Sequence, residues 1–279
     1  MGASGMLGNA MVRVLSQDPG YEVFGSVRTS EVKHYFEPTV AKNIITGIDV
    51  DNPGAITSLL EQSDPDVVIN CIGLVKQLEA ANDPLLAISI NALLPHRLAR
   101  ECENIGARLI HFSTDCVFTG RKGNYVETDE PDAQDLYGRT KLLGEVNYPH
   151  AITLRTSIIG HELNSSHGLI DWFLAQKGSV KGYTHAIFSG LPTGELARVV
   201  KDFVLPRHEL YGLFHVAAAP ISKFDLLQYV YKEYGKSLRI EPDDQIRINR
   251  SLDASRFRET TAYVAPSWPQ LIANMRAFN

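Results

Sequence analysis

The chain has 279 residues, with 27 Lys and Arg against 32 Asp and Glu for a formal net charge of −5, and 44% of its residues are hydrophobic. That length and apolar content suit one large or two modest domains with a substantial core, and the acidic balance argues against a nucleic-acid partner. Cys71, Cys102 and Cys116 are too few and too scattered for a disulfide framework or a zinc site, so no metal and a reducing cytoplasmic location are expected; no apolar run reaches the roughly 20 residues of a membrane span, so no membrane partner is expected.

The first ten residues, MGASGMLGNA, place Gly2, Gly5 and Gly8 at the spacing of a dinucleotide-binding turn. Such glycines let the backbone turn tightly and approach a pyrophosphate. The helix that begins near Met6 then offers its amides and dipole to the charge. The turn normally follows a buried strand, and here only Met1 precedes it. A sheet without that strand would leave ladder groups unmet at roughly 1–3 kcal/mol per buried group. Met1 is therefore expected to be an internal residue of a longer product, with about half a dozen apolar residues upstream.

Strand-like and helix-like stretches then alternate. NAMVRVLSQ carries apolar residues at helical spacing, YEVFGSV and ITGIDV read as strands, and PGAITSLLEQS as an amphipathic helix. DVVINCIG is a near-continuous apolar run, the pattern of a strand buried on both faces. PLLAISINALLPHRLARECENIG is a long helical region in which Pro95 predicts a kink or a break. ARLIHFSTDCVF is the next buried strand, LYGRTKLLGEVN a helix and AITLRTSII another strand. This alternation predicts an α/β fold, a doubly wound, Rossmann-like, mainly parallel sheet with ligands at the carboxyl ends of its strands.

The second half is less regular. HGLIDWFLAQKG, TGELARVVKDFVL and SKFDLLQYVYKEYG read as helices and YGLFHVAA as a strand returning to the sheet, while NRSLDASRFRETTAY and SWPQLIANMRAFN complete a C-terminal cap. No flexible linker divides the chain. The expected organisation is a cofactor domain over residues 1–160, joined by 186–217, and a small α+β substrate-binding cap over 161–185 and 218–279.

The residues that carry chemistry fall just after the predicted strands. Arg28, about 20 residues beyond the glycines, stands where an acidic residue would contact a ribose in an NAD protein. A guanidinium there can neutralise a 2′-phosphate, which favours NADPH and leaves NADH as an alternative donor. Asp49, after the following strand, can accept from an adenine amino group or cap the next helix. Tyr137 and Lys141 lie at i and i+4 on one helix face. An ammonium and an oxidised nicotinamide beside the phenol would lower its pKa from about 10 and let it exchange a proton with a sugar oxygen. Ser113-Thr114-Asp115 closes the preceding strand and brings a hydroxyl to the same carbonyl.

These motifs, in this order, resemble the extended short-chain dehydrogenase/reductases, and within them the dTDP-4-dehydrorhamnose reductases. The segments that carry the likeness are GASGMLG, VINCIG, STDCVFTG, YGRTK, LRTSIIG, GLPT and RSLDASRF, spread over nearly the whole chain. The resemblance implies that Tyr137 donates a proton to the C4 keto oxygen of a nucleotide-linked 4-keto-6-deoxy sugar. Lys141 would bind the nicotinamide ribose, Thr114 would polarise the carbonyl, and Gly2, Ser4, Gly5, Met6, Leu7 and Gly8 would line the pyrophosphate. Thr193 and Arg256 are implied to hold the nucleotide or its phosphates. The expected partner is therefore a nucleotide sugar, with a homodimer left open.

Cys116 stands where the rhamnose reductases usually carry tyrosine. The position resembles the catalytic cysteine of GDP-fucose synthases, which pair it with a histidine after the sixth strand, and His167 lies in such a place. An epimerase/reductase using Cys116 and His167 is thus an alternative. A non-catalytic NADP-binding subunit of the same fold is a second alternative.

Overall fold

The computed structural model describes residues 1–76, 79–163, 166 and 168–279. Eleven strands and eleven α-helices are assigned among the described residues. The first half contains α1 (Met6–Leu15), β1 (Gly25–Ser26), α2 (Pro38–Ala41), β2 (Ile44–Ile45), α3 (Pro53–Ser63), β3 (Val67–Asn70), α4 (Pro84–Ala87), α5 (Leu94–Ile105), β4 (Arg108–Thr114), α6 (Leu136–Leu143) and β5 (Ala151–Thr156). The second half adds β6 (Ile158–Ile159), α7 (Leu169–Ala175), β7 (Ser179–Phe188), β8 (Leu191–Pro192), α8 (Thr193–Val199), β9 (Gly212–His215), β10 (Ile221–Ser222), α9 (Lys223–Tyr234), β11 (Arg239–Asn249), α10 (Ser255–Thr261) and α11 (Trp268–Phe278).

The main sheet is parallel, in the order β3-β4-β5-β9, and a two-stranded parallel sheet pairs β1 with β2. Residues Met1–Ala3 run between the two. The Ser26 carbonyl accepts from the Gly2 amide at 3.1 Å and from the Ala3 amide at 3.0 Å. On the other side the Met1 carbonyl accepts from the Cys71 amide at 3.2 Å, and the Met1 amino group donates to the Ile69 carbonyl at 2.6 Å. Met1–Ala3 thus stand at the position of the carboxyl end of a central strand, and the glycine turn grows from there.

Helices cover both faces, as near-continuous apolar strands require. On one face Ile110, Phe112, Ile152 and Leu154 pack against Leu7, Met11 and Val14 of α1 and Leu196 and Val199 of α8. On the other, Val68, Leu109 and Ala151 pack against Ile56 and Leu60 of α3 and Leu94 and Leu98 of α5. The first of these cores runs on without a break into Leu226 and Val230 of α9 and Leu271 and Met275 of α11. The later helices therefore share one core with the main sheet.

One feature was not expected from the sequence. A three-stranded sheet in the order β10-β7-β11, with β7 and β11 parallel, forms part of the cap. β7 buries Val180, Gly182, Ala186 and Phe188 between polar residues, whereas β11 is largely solvent-facing and its one buried residue is Asp243, so neither reads as an apolar run. The helical region around Pro95 is also irregular, and this accords with the expected kink or break. A π-helical stretch over Ile88–Leu93 precedes α5, and Pro95 falls in the first turn of α5, where its missing amide costs nothing.

The turn at the amino terminus is tight. Gly2 adopts a φ of +77°, and a Cβ on Gly8 would fall on the Gly2 carbonyl oxygen. Gly8→Ala is therefore expected to lower the unfolding free energy by about 1–3 kcal/mol through overpacking against backbone. Urea unfolding followed by circular dichroism checks this, and an unchanged midpoint would contradict it.

Candidate active site

The first turn of α1 presents backbone amides to the carboxyl edge of the sheet. Its N-cap is Gly5, no side chain caps it among the described residues, and it carries no acidic side chain. The Gly5 amide folds back onto the Gly2 carbonyl at 3.0 Å. Gly2, Ser4, Gly5, Met6, Leu7 and Gly8 thus form a cradle with positive dipole character, in which added Cβ atoms at Gly2 and Gly8 would collide with neighbouring atoms. Those features fit a dinucleotide pyrophosphate. Arg28 is exposed directly after β1, and its carbonyl accepts from Gly47 at 3.1 Å, which sets the 27–28 and 47–49 loops side by side. Asp49 is exposed beside it and accepts from the Asp51 amide; the cap of α3 is Asn52.

The second wall is the carboxyl end of β4 together with α6. Asp135 caps α6 by accepting from the Gly138 amide at 2.8 Å, and Lys76 pairs with the same carboxylate at 2.8 Å. A Cβ on Gly138 would fall on the Cys116 carbonyl oxygen, so only glycine lets this helix press against the turn that follows β4. That approach brings Tyr137 beside Thr114. Thr114 is buried; its hydroxyl accepts from the Cys116 amide at 3.1 Å and donates to Asp115 at 3.2 Å. Lys141 is buried one turn further along α6, and its ammonium donates to the Phe112 carbonyl at 2.7 Å.

Burial dominates the electrostatics. It pushes the Tyr137 phenol well above its usual value, and the neighbouring Cys116 and Asp115 add to the effect while the Thr114 hydrogen bond opposes it. The Lys141 ammonium donates to Phe112, and at Tyr137 desolvation outweighs the remaining influences. Burial likewise pushes the Cys116 thiol up to about 12, with Asp115 contributing. It brings Lys141 down to about 8, and Glu145 acts in the opposite direction.

The remaining sequence candidates separate. Cys116 joins Thr114 and Tyr137. Thr193 is buried at the start of α8 and lines a cavity of about 40 Å3 with Met6, Asn9 and Gly160, on the cofactor side. Arg256 is exposed on α10, 4.6 Å from the Phe214 ring centroid, and lines an open groove with Glu145, Tyr211 and Thr260; Thr114 and Tyr137 are not among the groove's lining residues. His167 lies outside the described residues.

Residues 1–275 match the family model described as RmlD substrate binding domain. The chain belongs to that family. Among relatives, a probable low-salt glycan biosynthesis reductase of Haloferax volcanii is 32% identical over 229 residues, covering 78% of this chain and 73% of its own. A dTDP-4-dehydrorhamnose reductase of Mycobacterium tuberculosis is 29% identical over 235 residues, covering 75% and 72%. Among solved structures, a hypothetical dTDP-4-dehydrorhamnose reductase from Sulfolobus tokodaii superposes with a TM-score of 0.79 at 25% identity, over 96% of both chains. A dTDP-4-dehydrorhamnose reductase of Bacillus anthracis in complex with NADP gives 0.78 at 20% identity, over 100% of this chain and 97% of that one, a likeness of fold. The Rossmann-like fold expected from the strand pattern is thus shared with this family.

Two contributors to the site went unread in the sequence. Asn91 is buried in the π-helical stretch, and its side chain holds the Leu74 backbone through both amide and carbonyl, at 2.9 and 3.2 Å. Asp135 is the other, readable as an acidic N-cap three residues before Gly138.

The Lys141 shift fixes a direction for stability. The unfolded chain keeps this proton up to about 10.5, whereas the folded chain releases it at about 8. Between those values the unfolded state binds more protons, so stability due to this group rises with pH across that window. Relative to Lys141→Met, the parent is expected to gain up to about 3 kcal/mol between pH 8 and 10.5. Denaturant unfolding of both proteins across this range checks it, and a constant difference would contradict it.

Proposed function

We propose that the chain is an NADPH-dependent reductase of the C4 keto group of a nucleotide-linked 4-keto-6-deoxy sugar, of the dTDP-4-dehydrorhamnose type, acting in deoxysugar and cell-surface polysaccharide biosynthesis. The observation that carries this reading is a half-buried Tyr137 beside Thr114, its phenol pushed up in pKa, with the Lys141 ammonium on the same helix and a glycine cradle at the adjoining strand ends. The names of the relatives support the substrate class.

Gly2, Ser4, Gly5, Met6, Leu7 and Gly8 would hold the pyrophosphate of NADPH, Arg28 its 2′-phosphate, and Asp49 its adenine. When bound, NADPH supplies the hydride that reduces the keto carbon. Tyr137 is loaded as an acid at neutral pH, because its pKa is pushed up, and gives its phenolic proton to the C4 oxygen. Thr114 donates a hydrogen bond to that oxygen and so favours the charge that develops on it. Lys141 holds the nicotinamide ribose and sets a positive charge near the phenolate that Tyr137 becomes. Solvent then returns the proton to Tyr137.

An epimerase step would need the Cys116 thiol to act as a base. Its pKa of about 12 leaves it protonated at neutral pH, which favours plain reduction. The three free thiols suit a reducing cytoplasm. A second copy of the chain is the proposed protein partner, and exposed Leu93, Leu143 and Tyr148 around His96 offer it an apolar strip. Among the described residues no helix is long and apolar enough to cross a membrane.

The test compares variants on a dTDP-linked 4-keto-6-deoxy sugar, following NADPH absorbance. Tyr137→Phe is expected to lower kcat by about 10²–10⁴-fold with little change in NADPH affinity. Cys116→Ser is expected to stay within a few-fold of the parent, with no deuterium at C3 or C5 of product formed in D2O. Deuterium at those carbons, lost in Cys116→Ser, would replace the reductase reading with the epimerase/reductase one.

A further inference from the structure

Behind the Tyr137–Lys141 face lies a buried ion pair with no part yet in the chemistry. Glu145 follows α6, four residues beyond Lys141. Its carboxylate accepts two parallel bonds from Arg155, Nε to Oε1 and Nη2 to Oε2, each at 2.7 Å. The pair is almost wholly removed from solvent, with side-chain exposures of 3% for Arg155 and 11% for Glu145. Its Oε1 also accepts from the Ser113 hydroxyl at 2.6 Å. Ser113 and Arg155 are register partners on the adjacent strands β4 and β5, so one carboxylate ties both strands to the end of α6.

Burying such a pair is a poor route to stability, because well-packed apolar side chains often serve as well or better. What the pair does here follows from its place. Lys141 grips the carbonyl of Phe112, and Glu145 grips the hydroxyl of Ser113, the next residue on β4. These two grips immediately precede Thr114. Resting on the reductase reading above, we propose that Glu145, oriented by Arg155, is a positioning residue of the reaction: its carboxylate is the counter-charge of the Lys141 ammonium and locks α6 to β4 so that Thr114 meets Tyr137.

The other groups facing Lys141 leave this role to Glu145. From β4, His111 is fully buried; burial and the Lys141 charge hold it well below its usual value, hence neutral. The Asn70 amide donates to His111 Nδ1 at 3.1 Å, which assigns the ring proton to Nε2. From α5, His96 shares its ring nitrogens with the Leu143 carbonyl and the Tyr148 hydroxyl. Asn91, on the π-helical stretch, is uncharged, and Tyr137 on the same helix is protonated. Arg155, the remaining charge, approaches His215 Nε2 at 3.4 Å and stacks 5.2 Å from the Phe118 ring centroid. Glu145 is therefore the anion that offsets the desolvation of Lys141.

The test reads Lys141 itself in the full chain without sugar nucleotide. Its titration is followed by the 13Cε resonance of labelled lysine, assigned by loss in Lys141→Arg. The parent is expected to titrate near 8, and Glu145→Gln about one pH unit lower. Glu145→Gln leaves Arg155 buried without its partner, so the double variant Glu145→Met/Arg155→Met is measured beside it. That variant removes the pair whole; it is expected to keep the parental melting temperature within a few degrees and still to titrate below the parent. With NADPH, both variants are expected to move the alkaline limb of cofactor binding to lower pH. If the double variant titrates with the parent, Glu145 is structural only and the proposal fails. If Lys141 shifts as expected while no 4-keto sugar nucleotide is reduced by the parent, the counter-charge role stands and the reductase reading fails.

Discussion

The bond from the Lys141 ammonium to the Phe112 carbonyl sets the geometry on which the site depends. A buried cation needs a partner, because its desolvation in an apolar interior is costly. Phe112 supplies one from the middle of the sheet. Meeting it forces α6 close to the end of β4, and the glycines at 138 and 144 are what make that approach sterically allowed. A Cβ at the second would fall on the Asn91 carbonyl, as one at the first would on that of Cys116. With the helix drawn in, Tyr137 lies against Thr114, and the two polar groups face the same place from helix and strand.

The same burial that constrains Lys141 decides the protonation of its neighbours. A tyrosine pushed up in pKa is a poor base and a ready acid, the state that a ketone reduction needs at its outset. The thiol of Cys116 is pushed the same way. One physical cause, desolvation, thus acts on both groups in the same direction. The cap adds to the enclosure: its helices share the core of the main sheet, so it meets the catalytic wall as part of one packed body.

Much of this was legible from the chain. The glycine turn, the buried strands DVVINCIG and ARLIHFSTD, and the Tyr137/Lys141 spacing each rest on short-range rules, and the structure realises them at Met6–Leu15, Val67–Asn70, Arg108–Thr114 and Leu136–Leu143. What escaped depends on tertiary placement. The strands Ser179–Phe188 and Arg239–Asn249 carry too many polar residues to read as apolar runs, and they pair across about 60 residues of chain. The role of Asn91 requires knowing that its side chain meets the backbone of Leu74, 17 residues away. Arg256, read from a motif, is carried by α10 to a groove beside Phe214.

The central claim is hydride transfer to a sugar carbon with Tyr137 as the acid, and isotope transfer tests it most directly. NADPH dideuterated at the nicotinamide C4 would be incubated with the protein and dTDP-linked 4-keto-6-deoxy sugar, with UDP- and GDP-linked analogues in parallel. The product would be read by 1H NMR. The account predicts deuterium at C4 of the sugar in at least one nucleotide series, and loss of that transfer in Tyr137→Phe. A protein that binds NADPH yet transfers no deuterium to any of the three substrates would contradict it.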